Sequence, residues 1–99
     1  MIIVTGSVIT TPETHDEALG ICIEHCARSR AEPGCIAHNV HVDCENPSKL
    51  VFVEYWADMA ALKAHFGVPE SHAFVGALTT LAASPPDMSI FDATEIKTG

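Results

Sequence analysis

The sequence predicts an α+β fold of the ferredoxin-like kind, with the order β-α-β-β-α-β and helices on one side of an antiparallel sheet. Segments rich in β-branched and aromatic residues alternate with helical segments along the chain. Two of the extended segments are separated by only a short polar loop, which is typical of an antiparallel hairpin. All 99 residues are predicted to form a single domain, with a polar tail from about residue 94.

The first strand and the first helix occupy the amino-terminal third of the chain. The strand covers residues 2–10, and Pro12 opens the helix at the position where proline is best tolerated. Leu19, Cys22, Ile23 and Cys26 form the apolar stripe of this helix, in which the two cysteines are predicted to act as small core residues. The histidines of the helix, His15 and His25, lie off that stripe and are predicted to be surface residues.

The remaining elements follow a turn at Pro33 and Gly34, and Pro85 and Pro86 end the last helical segment. In order, the predicted segments are strands at 36–43 and 50–57, helices at 59–66 and 69–83, and a strand at 88–96.

The strands are apolar on both faces, which helices on one side cannot cover. In the third strand, one face carries Leu50, Phe52 and Trp56, and the other carries Val51, Val53 and Tyr55. A large exposed apolar face usually marks an interface. We therefore expect a homodimer in which two sheets pack face to face.

Composition and charge exclude several classes of protein. Hydrophobic residues make up 47% of the chain and charged residues 18%, which excludes a disordered tail. The net charge of −8 leaves no basic face for nucleic acid or an anionic membrane. The amino end lacks the basic region of a signal peptide, so we expect a cytoplasmic protein without a membrane segment.

The spacing of cysteines and histidines predicts no metal site. Cys22, Cys26, Cys35 and Cys44 lack the paired spacing of a zinc site and are expected to be reduced thiols. His38 and His41 are three apart on a strand and therefore point to opposite faces.

Aromatic and acidic residues of the third strand are predicted to meet a histidine at one pocket. Phe52, Glu54 and Trp56 share a strand face, and His65 follows nine residues later on the helix that folds over that face. A neutral imidazole beside an apolar cavity is a good proton acceptor near pH 7. The alternative is structural: Trp56 lies in the core, Glu54 makes a structural hydrogen bond, and His65 is a cap-like partner.

His38 has two interpretations as well. Its neighbours on the strand face are apolar, so it is either a hydrogen-bonded core histidine or a residue of the pocket.

Four short motifs resemble the antibiotic biosynthesis monooxygenase (ABM) family, which includes small quinol monooxygenases. The resemblance covers about residues 1–92, nearly the whole chain. The motifs are Glu32-Pro33-Gly34-Cys35, Phe52-x-Glu54-x-Trp56, Leu62-x-x-His65-Phe66 and Ser71-x-x-Phe74.

The resemblance implies a dimeric α+β barrel with a pocket in each subunit. It also implies oxygenation of a small phenol or hydroquinone by O2 without a cofactor, with Trp56 and His65 at positions that line the pocket. The expected catalytic residues are His65, Trp56 and Glu54, and the expected substrate-binding residues are Phe52, His38, Phe74 and Phe66.

In this interpretation His65 takes the phenolic proton, and Trp56 and Phe52 stack on the substrate ring. Glu54 orients or polarises His65, or acts as a second proton acceptor. Other family members imply two alternatives, an isomerase of a sugar-phosphate-like signalling molecule and a non-catalytic, stress-responsive ligand-binding dimer. Haem degradation fits poorly, because residues 5–7 lack the asparagine that the haem-degrading members carry.

Overall fold

The computed structural model describes residues 1–98, which form a four-stranded antiparallel sheet and three helices. The order of elements confirms the predicted ferredoxin-like α+β fold. Gly99, the last residue of the predicted domain, lies outside the described residues. The elements are β1 (Ile2–Ile9), α1 (His15–Ser29), β2 (Cys35–Val42), β3 (Lys49–Trp56), α2 (Met59–Gly67), α3 (Pro69–Leu81) and β4 (Asp87–Asp92).

The strands lie in the order β2-β3-β1-β4, so β3 and β1 occupy the centre of the sheet. β2 and β3 form the predicted hairpin, in which His38 lies opposite Glu54. On the other side of β3, Val4 of β1 also lies opposite Glu54. Because cross-strand partners share a face, the register places these three side chains in one row across the sheet.

The helices cover the sheet face that carries this row, and the core lies between the two layers. One apolar cluster includes Val8, Leu50 and Phe52, and a second includes Val4 and Trp56. Glu54 falls between Phe52 and Trp56 on the same face of β3, so polar side chains separate the two apolar clusters.

The opposite face of the sheet carries apolar side chains that the helices do not cover. Ile3, Tyr55 and Phe91 form one row across β1, β3 and β4. Phe91 is 52% exposed and Tyr55 is 36% exposed. The strands of the structure therefore carry apolar side chains on both faces, as the sequence predicts.

Two predicted boundaries are wrong. α1 begins at His15 rather than at Pro12, because residues 12–14 form a turn in which the Thr11 and Thr14 hydroxyls hydrogen-bond at 2.8 Å. β4 ends at Asp92 rather than near residue 96, because Asp92 pairs with Ile2, where β1 begins.

The buried face of α1 agrees with the prediction in part. Cys22 and Cys26 are buried and Leu19 packs against the core, whereas Ile23 is 53% exposed. His25, predicted to be at the surface, is only 6% exposed, and His15 is half-buried and hydrogen-bonded to Thr10 at 2.9 Å. The buried residues of the stripe are Ala18, Cys22, His25, Cys26 and Ser29.

All four cysteines are free, as the sequence predicts. Burial raises the pKa of Cys22 to about 12 and that of Cys26 to about 11, so both thiols keep their protons. They are core residues of α1. Within residues 1–98, no helix combines the length and the apolar character that crossing a bilayer requires.

A tight turn at Gly34 couples the start of β2 to α2. Gly34 has a φ of +82°, in the left-handed region that favours glycine. A Cβ atom at this position would lie 2.5 Å from the Cβ atom of Ala61. The carbonyl of Gly34 accepts a hydrogen bond from the Ala57 amide at 2.8 Å.

We expect Gly34→Ala to lower the free energy of unfolding by about 2 kcal/mol or more, since left-handed backbone and overpacking each cost about 1–2 kcal/mol. Urea unfolding measures the change. Gly20→Ala is the matched control, because an added Cβ there meets nothing within 4 Å. This control should raise the free energy of unfolding by about 0.5–1 kcal/mol. Equal stability of Gly34→Ala and the parent protein would show that the turn does not need glycine.

Candidate active site

A cavity of about 510 Å³ lies between the sheet and the helices and opens to solvent. It contains six of the seven side chains that the sequence singles out as site residues: Phe52, Glu54, His38, His65, Phe66 and Phe74. Of the four side chains predicted to converge on one cavity, Phe52, Glu54 and His65 line it and Trp56 does not.

Trp56 does not line the cavity, contrary to the prediction that it stacks on a ligand. Its side chain is 0% exposed and packs in the cluster that contains Leu62. The His65 ring lies 4.8 Å from it, centroid to centroid. α2 folds over the indole and places His65 next to the cavity, so Trp56 supports the site from behind.

Glu54 is a buried carboxylate that accepts one hydrogen bond and lies beside an imidazole. The indole Nε1–H of Trp56 donates to Oε1 at 2.9 Å, and Nε2 of His38 lies 3.3 Å from the same oxygen. Burial alone would raise the pKa of Glu54, but the close imidazole of His38 and the indole N–H outweigh it and lower the pKa. Glu54 is therefore ionised at neutral pH.

The carboxylate that holds His65 is Glu32 rather than Glu54. Nδ1 of His65 lies 3.0 Å and 3.2 Å from the two carboxylate oxygens of Glu32. A carboxylate only accepts, so Nδ1 carries a proton, and in the neutral imidazole the lone pair lies on Nε2. The hydrogen-bond partner of His65 is thus Glu32, whereas Glu54 accepts from the indole of Trp56 and interacts with His65 electrostatically.

His25 of α1 is a site residue that the sequence analysis missed. Its ring stacks on Phe74, with 3.9 Å between the centroids and 2° between the planes. Nη2 of Arg28 lies 2.7 Å from Nδ1 of His25. Burial, aided by His38, His65 and Arg28, lowers the pKa of His25 to about 3, so this imidazole is neutral.

His38 is both a core residue and a cavity residue, so its two interpretations meet in the structure. Its ring is 1% exposed, and Nδ1 lies 3.2 Å from the thiol of Cys26. Nε2 has no hydrogen-bond partner, because its 3.3 Å contact with Oε1 of Glu54 lacks the geometry of a hydrogen bond. The hydroxyl of Ser71, which also lines the cavity, is likewise buried without a partner.

The rest of the cavity wall is mostly apolar. Phe52, Phe74, Leu78 and Met88 provide apolar surface, and Asp87 adds an acidic group. Within the described part of the chain, neither lysine nor arginine lines the cavity. The cavity therefore suits an uncharged ligand that is mostly apolar and has a few polar groups, which would contact the imidazoles and the serine.

The pattern of the antibiotic biosynthesis monooxygenase family matches residues 1–77 of this chain. The chain belongs to this family. It is also 32% identical over 97 residues to an uncharacterized protein of Synechocystis sp., sll1783. That alignment covers 98% of this chain and 66% of the relative, so the chain spans just under two thirds of the relative's length.

Solved structures of other proteins share the fold. A crystal structure of an antibiotic biosynthesis monooxygenase superposes with a TM-score of 0.87 at 28% identity, covering 96% of this chain and all of the other. Rv0793 from Mycobacterium tuberculosis superposes with a TM-score of 0.89 at 18% identity, covering 98% of each chain. At that identity the second likeness shows the fold alone.

Four residues at the site were not predicted as site residues, although two of them, Glu32 and Ser71, belong to the quoted motifs: Glu32, His25, Arg28 and Ser71. Glu32 lies in a turn that sequence marks only as a helix end, and it reaches a histidine 33 residues away. His25 could have been found from its spacing, because it lies three residues after Cys22 and one before Cys26 on the buried face.

The assignment of the two carboxylates predicts separate spectroscopic effects. Trp56 is the only tryptophan, so its indole N–H gives a single identifiable signal in a ¹H–¹⁵N spectrum. Glu54→Gln should shift that signal strongly, because the amide replaces the carboxylate that accepts the indole proton. Glu32→Gln should shift the ring signals of His65 and leave the indole signal nearly unchanged. A strong indole shift in Glu32→Gln alone would reverse the assignment.

Proposed function

We propose that this protein is a cofactor-independent monooxygenase that oxidises a small electron-rich aromatic compound, a quinol or phenol, with O2. The supporting observation is the Glu32–His65 pair, in which Nδ1–H donates to the carboxylate and leaves Nε2 as a base beside an apolar cavity. Membership of the monooxygenase family supports the same reaction class.

The proposed reaction begins with proton transfer from the phenol to His65. O2 is a triplet, so it reacts by accepting one electron, and a phenolate donates an electron far more readily than a phenol. The resulting aryloxyl radical and superoxide combine at a ring carbon, and the returning proton completes a hydroperoxide. Loss of water breaks the O–O bond and leaves a new carbonyl. Quinol and O2 thus give a hydroxylated quinone and water, and the substrate supplies all four electrons.

The cavity wall favours this substrate class over a phosphorylated one. Phe52 and Phe74 can contact an aromatic ring, and their rings lie edge to face with centroids 6.2 Å apart. The carboxylates of Glu54 and Asp87 would repel a phosphate, and the described cavity wall offers no cation to bind one. The isomerase alternative therefore lacks the charge that its substrate requires.

We expect His65→Gln to lower the rate of quinol-dependent O2 uptake about a hundredfold or more, the usual contribution of a general base. Glutamine keeps most of the volume of this buried side chain, and a urea unfolding curve reports any loss of stability. His41→Gln is the matched control, because His41 is exposed and lies outside the cavity.

Both variants are assayed with a metal chelator present, so that the chemistry of the protein alone is measured. An unchanged rate in His65→Gln would exclude His65 as the base. Absence of O2 uptake by the parent protein, together with saturable binding of a quinol, would instead support the non-catalytic ligand-binding alternative.

We propose further that the protein is a homodimer joined through the uncovered sheet face. Ile3, Tyr55 and Phe91 form an apolar row on this face, and apolar rows of this kind usually lie in interfaces. Burying the row against its symmetry copy removes the apolar surface of both chains from water.

The dimer is tested with two variants of matched exposure. Phe91→Glu places a charge on the uncovered face at a position 52% exposed, whereas Ile23→Glu places one on α1 at a position 53% exposed. Sedimentation at micromolar concentration should give a dimer for the parent and for Ile23→Glu and a monomer for Phe91→Glu. A monomeric parent protein would refute the proposed interface.

A further inference from the structure

Three imidazoles from three different elements meet on the wall of the cavity. They belong to His25 of α1, His38 of β2 and His65 of α2, and all three are buried. Their ring centroids form a nearly regular triangle with sides of 5.2, 5.3 and 5.4 Å. One ring nitrogen from each lies within 4.8 Å of the other two.

Neighbouring groups orient these rings from outside the triangle. Glu32 accepts from Nδ1 of His65, and the thiol of Cys26 lies 3.2 Å from Nδ1 of His38. Hydrogen bonds of this kind on the second ring nitrogen are typical of histidines that bind metals. Nε2 of His38 is moreover buried without a hydrogen-bond partner, with Oε1 of Glu54 3.3 Å away, so this nitrogen is available to coordinate an ion beside a carboxylate.

We propose that His25, His38 and His65 bind one divalent transition-metal ion, with zinc as the best-matched probe, and leave a fourth coordination position open to the cavity. Imidazole nitrogen is a preferred ligand of zinc, and three protein ligands with one open position are typical of reactive zinc sites. Glu32 and Glu54 lie next to the triangle and offset the charge of the ion. Tetrahedral zinc would bring the three nitrogens to roughly 3.4 Å apart, a small closure of the rings.

Arg28 opposes this binding in the metal-free protein. Its guanidinium can only donate, so at 2.7 Å it requires Nδ1 of His25 to accept and places the ring proton on Nε2. A metal bound to Nε2 of His25 requires the tautomer that carries its proton on Nδ1. A metal bound to Nδ1 would occupy the position of the Arg28 guanidinium. Arg28 must therefore leave His25 when the ion binds, and Glu32, 3.3 Å away, remains available as its partner.

The metal site goes beyond the proposed oxygenation and competes with it. An ion bound to His65 occupies the lone pair that would accept the phenolic proton. Zinc is therefore expected to inhibit quinol oxidation, and metal binding and base catalysis exclude each other at this residue. Binding is measured without substrate, so a failure of the metal site and a failure of the oxygenation are distinguishable.

The test is a titration of chelator-stripped, full-length protein with Zn²⁺ in competition with a chromophoric chelator. We expect one ion per chain, and a tetrahedral visible spectrum when Co²⁺ replaces Zn²⁺. His25→Ala, His38→Ala and His65→Ala should each weaken zinc binding at least about tenfold, since losing even an outer partner has an effect of that size. His41→Ala, at an exposed position, should bind as the parent does.

A variant that binds zinc more tightly than the parent must be folded, so it separates an effect on the metal site from an effect on folding. Arg28→Met should tighten zinc binding by about tenfold, because it frees His25 to present its lone pair. Lys63→Met removes one positive charge from an exposed position on α2 and should have a much smaller effect. The proposal is overturned if the parent binds no stoichiometric zinc, if the three histidine variants bind like His41→Ala, or if Arg28→Met binds no tighter than Lys63→Met.

Discussion

The hydrogen bond between Glu32 and His65 connects the parts of this structure on which function depends. It joins the turn before β2 to α2, and it orients the imidazole that meets the cavity. The same carboxylate lies 3.3 Å from Arg28, which in turn donates to His25. Gly34, two residues after Glu32, lets the turn approach α2 closely. A single, partly exposed carboxylate thus influences two of the three imidazoles.

The sheet explains why a site of this kind forms where it does. Along β3, Glu54 lies between Phe52 and Trp56, so a charged side chain interrupts an otherwise apolar face. The free-energy cost of burying the Glu54 carboxylate is offset by the indole N–H and the nearby imidazole, which keep the carboxylate ionised. Histidines from three elements lie close to this charged position of the sheet. The cavity is consequently apolar on most of its wall and polar at one place.

The strand pattern predicted a large part of this arrangement. A period of two placed Phe52, Glu54 and Trp56 on one face and put His38 and His41 on opposite faces, and the structure agrees. The helix α1 was harder, because Ile23 of the predicted stripe faces solvent and the polar His25 is buried instead. Hydrophobicity therefore identified most of the buried stripe but not the buried histidine. Spacing along the chain also could not predict a set of imidazoles drawn from α1, β2 and α2, since only the fold brings them together.

The central claim is that His65, held by Glu32, acts as the base of an oxygenation that needs no cofactor. The most direct measurement is turnover of a hydroquinone under ¹⁸O2 by chelator-treated protein, with the parent and Glu32→Gln compared side by side. We expect one ¹⁸O atom in each product molecule, the other in water, and a clear loss of rate in Glu32→Gln. Hydrogen peroxide without labelled product, or equal rates for the two proteins, would contradict it.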